Sequence, residues 1–190
     1  YDKKDDWDLL LILDACQFDS FKEQTKHNEN IHALDSIYSP ASYSKAWMEK
    51  TFIDKYEEEI SNTTYINGNP YIKKADIDES KFNHVENVWE YSWVNNTVYP
   101  KTLTDIALNQ IKNDTSEKYI IHYMQPHIPF IENLDISQGV KKENFGEQPL
   151  NFWSHGFKEN DISLDEAIQA YNNNLNSVLE YVDILANNFD

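Results

Sequence analysis

Leu9-Leu10-Leu11-Ile12-Leu13-Asp14 is the stretch on which the fold of this 190-residue chain turns. An unbroken aliphatic run of this kind reads as a strand buried on both faces, in the middle of a parallel sheet. The carboxylate that ends it falls at the carboxyl end of the strand, where open α/β sheets place their ligands. Packing does not explain Asp14, because an unpaired buried carboxylate is costly or takes up a proton. A bound metal ion would remove that cost, which makes Asp14 the first candidate metal ligand. The alternative is an Asp that caps a following helix at 16–21.

Working outward, Cys16 to Lys26 has helical spacing, with Phe18 and Phe21 on one side. Ile31 to Ser39 reads as a short strand and loop. Ser44 to Tyr56 is expected to be a helix with Trp47, Phe52 and Tyr56 as its apolar stripe and Ser42 or Ser44 as its cap. Thr63 to Ile66 is a second strand, ending in the turn residues Asn67-Gly68-Asn69-Pro70. A third strand is expected near Val85 to Trp89. Thr102 to Ile111 follows Tyr99-Pro100 as a helix, and Tyr119 to Met124 is another central strand. Residues 131–160 read as an irregular excursion, of a length often used for lids or partner surfaces. Leu164 to Leu185 is a long amphipathic helix.

This order predicts one α/β sandwich domain over 1–190 with a mostly parallel central sheet. The chain stops after a helix, at Asn187-Asn188-Phe189-Asp190, where a further strand is expected. The domain therefore reads as incomplete, to be completed by a missing carboxyl-terminal segment or a partner chain.

A formal charge of -17 and the absence of a basic stripe exclude a phosphate-backbone mode of nucleic-acid binding. All sixteen basic residues are lysine, so no guanidinium fork is available to an anion. An anionic substrate is then held through local metal charge or aimed backbone amides. A single cysteine excludes an internal disulfide framework and a thiolate zinc site. No apolar run is long enough to span a bilayer.

Three groups could carry chemistry. Asp14 and Asp19 could both reach a metal, although Asp19 also suits the first turn of a helix, where a carboxylate answers the dipole. Ser39-Pro40-Ala41-Ser42-Tyr43-Ser44 puts hydroxyls at the mouth of a helix, beside free amides that bind phosphate or sulfate. A serine cap is the plainer reading. His122 and His127 flank a proline-fixed loop after a buried strand, where an imidazole can donate to an anion or bind metal. Hydrogen bonding to loop carbonyls is the structural alternative. His155, in Trp153-Ser154-His155-Gly156, is a weaker candidate.

Taken in order, Leu11-Ile12-Leu13-Asp14-Ala15-Cys16-Gln17-Phe18-Asp19, Ala41-Ser42-Tyr43-Ser44-Lys45-Ala46-Trp47, Gly68-Asn69-Pro70-Tyr71 and Gln125-Pro126-His127-Ile128-Pro129-Phe130 resemble the sulfatase-like branch of the alkaline phosphatase superfamily, its archaeal and viral members above all. The resemblance implies an alkaline-phosphatase-like sandwich and a divalent metal ion (Zn, Mn, Ca or Mg) with Asp14 as a ligand. It puts Ser44, or else Ser42, in the nucleophile region, and His127 against the leaving group or the transferred group. The substrate it implies is an anionic small-molecule, glycan or lipid ester.

The chain departs from that pattern in three places. The Cys-x-Pro-x-Arg motif of sulfatases is absent, Gln17 stands where an arginine is common, and the strand bearing Asp-His-Gly is not reached before Asp190. A degenerate sulfatase-like domain serving as a non-catalytic binding or assembly module is the competing expectation.

Overall fold

A computed structural model describes residues 7–113, 116–137, 139, 141 and 162–189. Strands β1 (Leu9–Leu13), β2 (Thr63–Asn67), β3 (His84–Asn87) and β4 (Lys118–Tyr123) form one sheet in the order β1-β4-β2-β3. Every pairing is parallel. The helices are α1 (Phe18–Gln24), α2 (Ser44–Thr51), α3 (Glu57–Ser61), α4 (Pro100–Asn113) and α5 (Leu164–Ala186). The chain is thus an α/β protein built on a parallel sheet, as its pattern of runs and breaks predicts.

The centre of the sheet is not where the aliphatic run suggests. β2 is buried along its whole length, and β4 is buried from Tyr119 to Tyr123. β1, with only β4 beside it among the described residues, lies at the edge of this sheet, and its five residues are all half-buried. Threonine, tyrosine, asparagine and histidine occupy central positions because their polar atoms find partners there.

Alternation divides β2 and β4 between two faces. Tyr65 and His122 meet α2, where the Trp47 ring lies 5.7 Å from His122 and Phe52 5.2 Å from Tyr65. On the other face Tyr123 Oη shares a 2.7 Å hydrogen bond with Thr104 of α4. Helix α5 packs against α4 and α1. Its start is fixed by a capping box in which Ser163 and Glu166 satisfy each other's backbone amides. Proline at the first position of α4 uses a site where no intrahelical N–H is needed.

Three local expectations fail for identifiable reasons. Residues 31–39 form no strand: Leu34, Ile37 and Tyr38 are exposed, so no buried face holds them to the sheet. The helix expected over 44–56 ends at Thr51, because Phe52 turns inward against Tyr65 and Phe82. It resumes as a 3-10 turn at Asp54–Tyr56 and then α3. β3 begins at His84, and Val88–Glu90 is a 3-10 turn rather than strand. Within 131–160, the described residues 131–137, 139 and 141 carry no helix or strand, and turns occur within 131–136. The remainder of that excursion, with His155, lies outside the described residues. Among the described residues no helix is long and apolar enough to cross a membrane.

Candidate functional site

Asp14 continues the β1 ladder by one bond, its N–H donating to Tyr123 O at 3.1 Å. The chain then turns sharply. Ala15 sits in the left-handed region at φ 61°, a conformation that costs a non-glycine residue about 1 kcal/mol. Helix α5 holds this turn through one side chain: Tyr171 Oη donates to Ala15 O (3.0 Å) and accepts from Gln17 N–H (2.8 Å). Asp14 O accepts from His127 N–H at 3.0 Å, which ties the turn to the loop after β4.

The two carboxylate oxygens of Asp14 are treated differently. Oδ2 accepts from Ser44 Oγ at 2.9 Å and from Asn69 Nδ2 at 2.8 Å. Oδ1 receives no hydrogen bond among the described residues. Asp14 is also not a helix cap, since the residue at the start of α1 is Gln17, with no side-chain cap bond.

Ser44 is not the expected cap either. Tyr43 occupies the cap position of α2 without a side-chain bond, and the Ser44 hydroxyl goes across to Asp14. The first bond of the α2 ladder is Trp47 N–H to Tyr43 O. The amides of Ser44, Lys45 and Ala46 therefore open at the helix start, a natural anion seat.

Asp14 and Ser44 line a cleft of about 1140 Å³ that also holds Ser42, Lys45, Trp47, Tyr71, Lys74, His122 and His127. Ser42 is exposed in this cleft and makes no bond to Asp14. Asp19 lies outside the cleft lining, exposed in the first turn of α1.

His127 donates from Nδ1 to Ile128 O at 2.8 Å, since a carbonyl can only accept. Its Nε2 is left for the cleft. Asn174 of α5 shapes this loop. Its Nδ2 lies within 3.1 Å of the carbonyls of Pro126, His127 and Pro129, and its Oδ1 accepts from Ile131 N–H at 3.0 Å.

His122 is 1% exposed. Burial pushes its imidazole down to about 4, against the pull of the Asp14 charge, so it is neutral at physiological pH. Cys16 lines the same cleft, but burial raises its thiol to about 11 and keeps it protonated.

Sequence reading did not single out Asn69, Tyr171 or Asn174. Asn69 appears there as turn chemistry before Pro70 and inside the quoted Gly68-Asn69-Pro70-Tyr71 stretch, with no role of its own. Asn174 did carry a signal, an amide on the apolar stripe of α5 between Tyr171 and Val178, where a buried polar group has to have a purpose.

The donor set around Asp14 fits one anionic corner of a divalent-cation site. Oδ1 is an oxygen without a partner among the described residues, and the Ser44 hydroxyl sits on the same carboxylate. Among the described residues no group of three or more His, Cys, Asp and Glu side chains converges on a single point. No protein-family model, curated protein or solved structure matches the chain.

Proposed function

We propose that the cleft is the ester site of a metal-dependent phosphoric or sulfuric ester hydrolase or transferase, with Ser44 as nucleophile. One observation carries this reading: the Ser44 hydroxyl is hydrogen-bonded to the strand-end carboxylate Asp14 at the opening of a helix. With its proton directed at Asp14 Oδ2, Ser44 Oγ keeps its lone pairs for an electrophile in the cleft. The amides at the start of α2 hold the non-bridging oxygens of the ester, and Lys45 and Lys74 add positive charge nearby.

As the Oγ–P or Oγ–S bond forms, the bond to the ester oxygen breaks. The departing alcohol takes up the proton that Ser44 gives up, with His127 beside the transferred group. Water, or an acceptor alcohol, then cleaves the serine ester and returns a proton to Oγ. Asp14 Oδ1 would hold the cation, whose chemistry is to polarise the ester and stabilise the serine alkoxide.

The test is turnover of aryl phosphate and aryl sulfate with Zn, Mn, Mg or Ca supplied in turn. Ser44→Ala is expected to lower kcat at least about 100-fold, while Ser42→Ala leaves it within a few-fold. Equal turnover by Ser44→Ala would remove Ser44 from the role. The competing reading, a non-catalytic binding module, is favoured by Asp14 being the one carboxylate among the described residues that line the cleft. Tight anion binding without turnover under every metal would support it.

A further inference from the structure

We infer that His122 is a second metal-binding residue of the cleft, its Nε2 paired with Asp14 Oδ1 to favour a transition metal over Ca or Mg. Register brings the two side chains to one face. His122 lies opposite Ile12, and Asp14 stands two residues beyond Ile12 on the same strand side. Helix α2 covers that face at both, through Ser44 on Asp14 and the edge of Trp47 on the His122 ring.

A buried hydrogen-bond frame determines which imidazole nitrogen is free. Asn67 is fully buried and its amide orientation is fixed: Oδ1 accepts from Asn69 N–H at 2.8 Å, and Nδ2 donates to Asn69 O and Asn87 Oδ1. Tyr65 Oη lies 3.3 Å from that Oδ1 and 2.7 Å from His122 Nδ1. Both contacts are hydrogen bonds under one assignment alone. Tyr65 must give its hydrogen to Asn67 and accept one from His122 Nδ1.

Nε2 is then the bare nitrogen, on a residue that lines the cleft and has no other polar partner for that atom among the described residues. A histidine whose far nitrogen donates to a fixed hydroxyl, lining the same cleft as a carboxylate, matches the outer-shell arrangement of a metal-binding imidazole. One nitrogen and one oxygen form a borderline donor pair, better suited to Zn or Mn than to an all-oxygen Ca site. The remaining positions fall to Ser44, the ester or water. Asn69 acts here as a positioning residue, tying Oδ2 so that Oδ1 stays available.

The inference rests on the metal-dependent reading above, and its test reads binding rather than turnover. The whole chain labelled with ¹⁵N-histidine is titrated with Zn²⁺, then separately with Ca²⁺ and Mg²⁺. Zn²⁺ is expected to shift the His122 imidazole nitrogens and saturate at a single equivalent, with Ca²⁺ and Mg²⁺ leaving them in place. Tyr65→Phe should weaken Zn²⁺ binding about 10–100-fold while the shift survives at higher metal. His122→Gln and Asp14→Asn should each abolish the saturable site.

His122 resonances unmoved by Zn²⁺, or moved equally by Ca²⁺, would overturn the inference. The wild-type titration is decisive even if a variant does not fold. Metal-dependent, Ser44-dependent ester turnover with unmoved His122 resonances would discard this assignment and leave the hydrolase reading standing.

Discussion

The chemistry proposed for this chain concentrates at residues whose local role is not the one their position suggests. Ser44 opens a helix yet does not cap it, and Asp14 precedes a helix yet does not cap that one either. Instead the Ser44 hydroxyl donates to Asp14 Oδ2. His122 makes the same point through titration. Burial holds its folded-state pKa near 4, whereas an unfolded imidazole titrates near 6.5. Unfolded chains therefore take up the proton first. The contribution is intact above about pH 6.5 and is lost as pH falls towards 4, by about 3 kcal/mol in total. Urea midpoints at pH 7 and 4.5 should differ less in His122→Asn than in the parent protein. An identical difference in both would mean that His122 does not carry this pH dependence.

At the scale of elements, α5 does more than cover the sheet. Tyr171 closes the left-handed turn after Asp14, and Asn174 gathers the carbonyls around His127. Asn174→Ala would leave several buried backbone groups without partners, at about 1–3 kcal/mol each before relaxation. Chemical denaturation is expected to show a loss of about 2–4 kcal/mol, within the range for breaking a buried network. A loss below about 0.5 kcal/mol would show that water replaces the amide. Tyr171→Phe keeps the ring and removes both hydroxyl bonds, so it should lower Ser44-dependent turnover more than it lowers stability.

These two residues also mark how far the sequence could be read. The strands after Asn62 and Glu117 and the helix from Leu164 were legible because alternation, turn residues and an apolar stripe agree with one another. Asp14, Ser44 and His127 were legible as candidates at element ends, and the structure brings all three to one cleft. What could not be read was long-range. The edge position of β1 depends on which strands pair, and β4 inserts between β1 and β2 across more than half of the chain. The links from Asn69 to Asp14, from Asn67 to Asn87 and from Tyr65 to His122 likewise depend on side chains meeting across strands. Residues 31–39 misled because aliphatic residues there face solvent, which no local pattern reveals.

For the whole molecule the dominant long-range term is the charge of -17. Self-repulsion on that scale destabilises the compact state and is screened by salt. Raising ionic strength from about 0.01 to about 0.15 M shortens the Debye length from about 30 to about 8 Å, and the melting temperature should rise. A falling melting temperature would mean that favourable ion pairs outweigh the repulsion. The same acidity makes the cleft unusual. Its lining collects Lys45, Lys74 and the open amides of α2 on a protein otherwise hostile to anions. The most direct measurement is to trap the covalent species by quenching the metal-loaded protein during turnover of an aryl phosphate or sulfate and mapping the adduct by peptide mass spectrometry. The account predicts a phosphoryl or sulfuryl increment on the peptide carrying Ser44, lost in Ser44→Ala and kept in Ser42→Ala. Turnover with no serine adduct, or an adduct that survives Ser44→Ala, would contradict it.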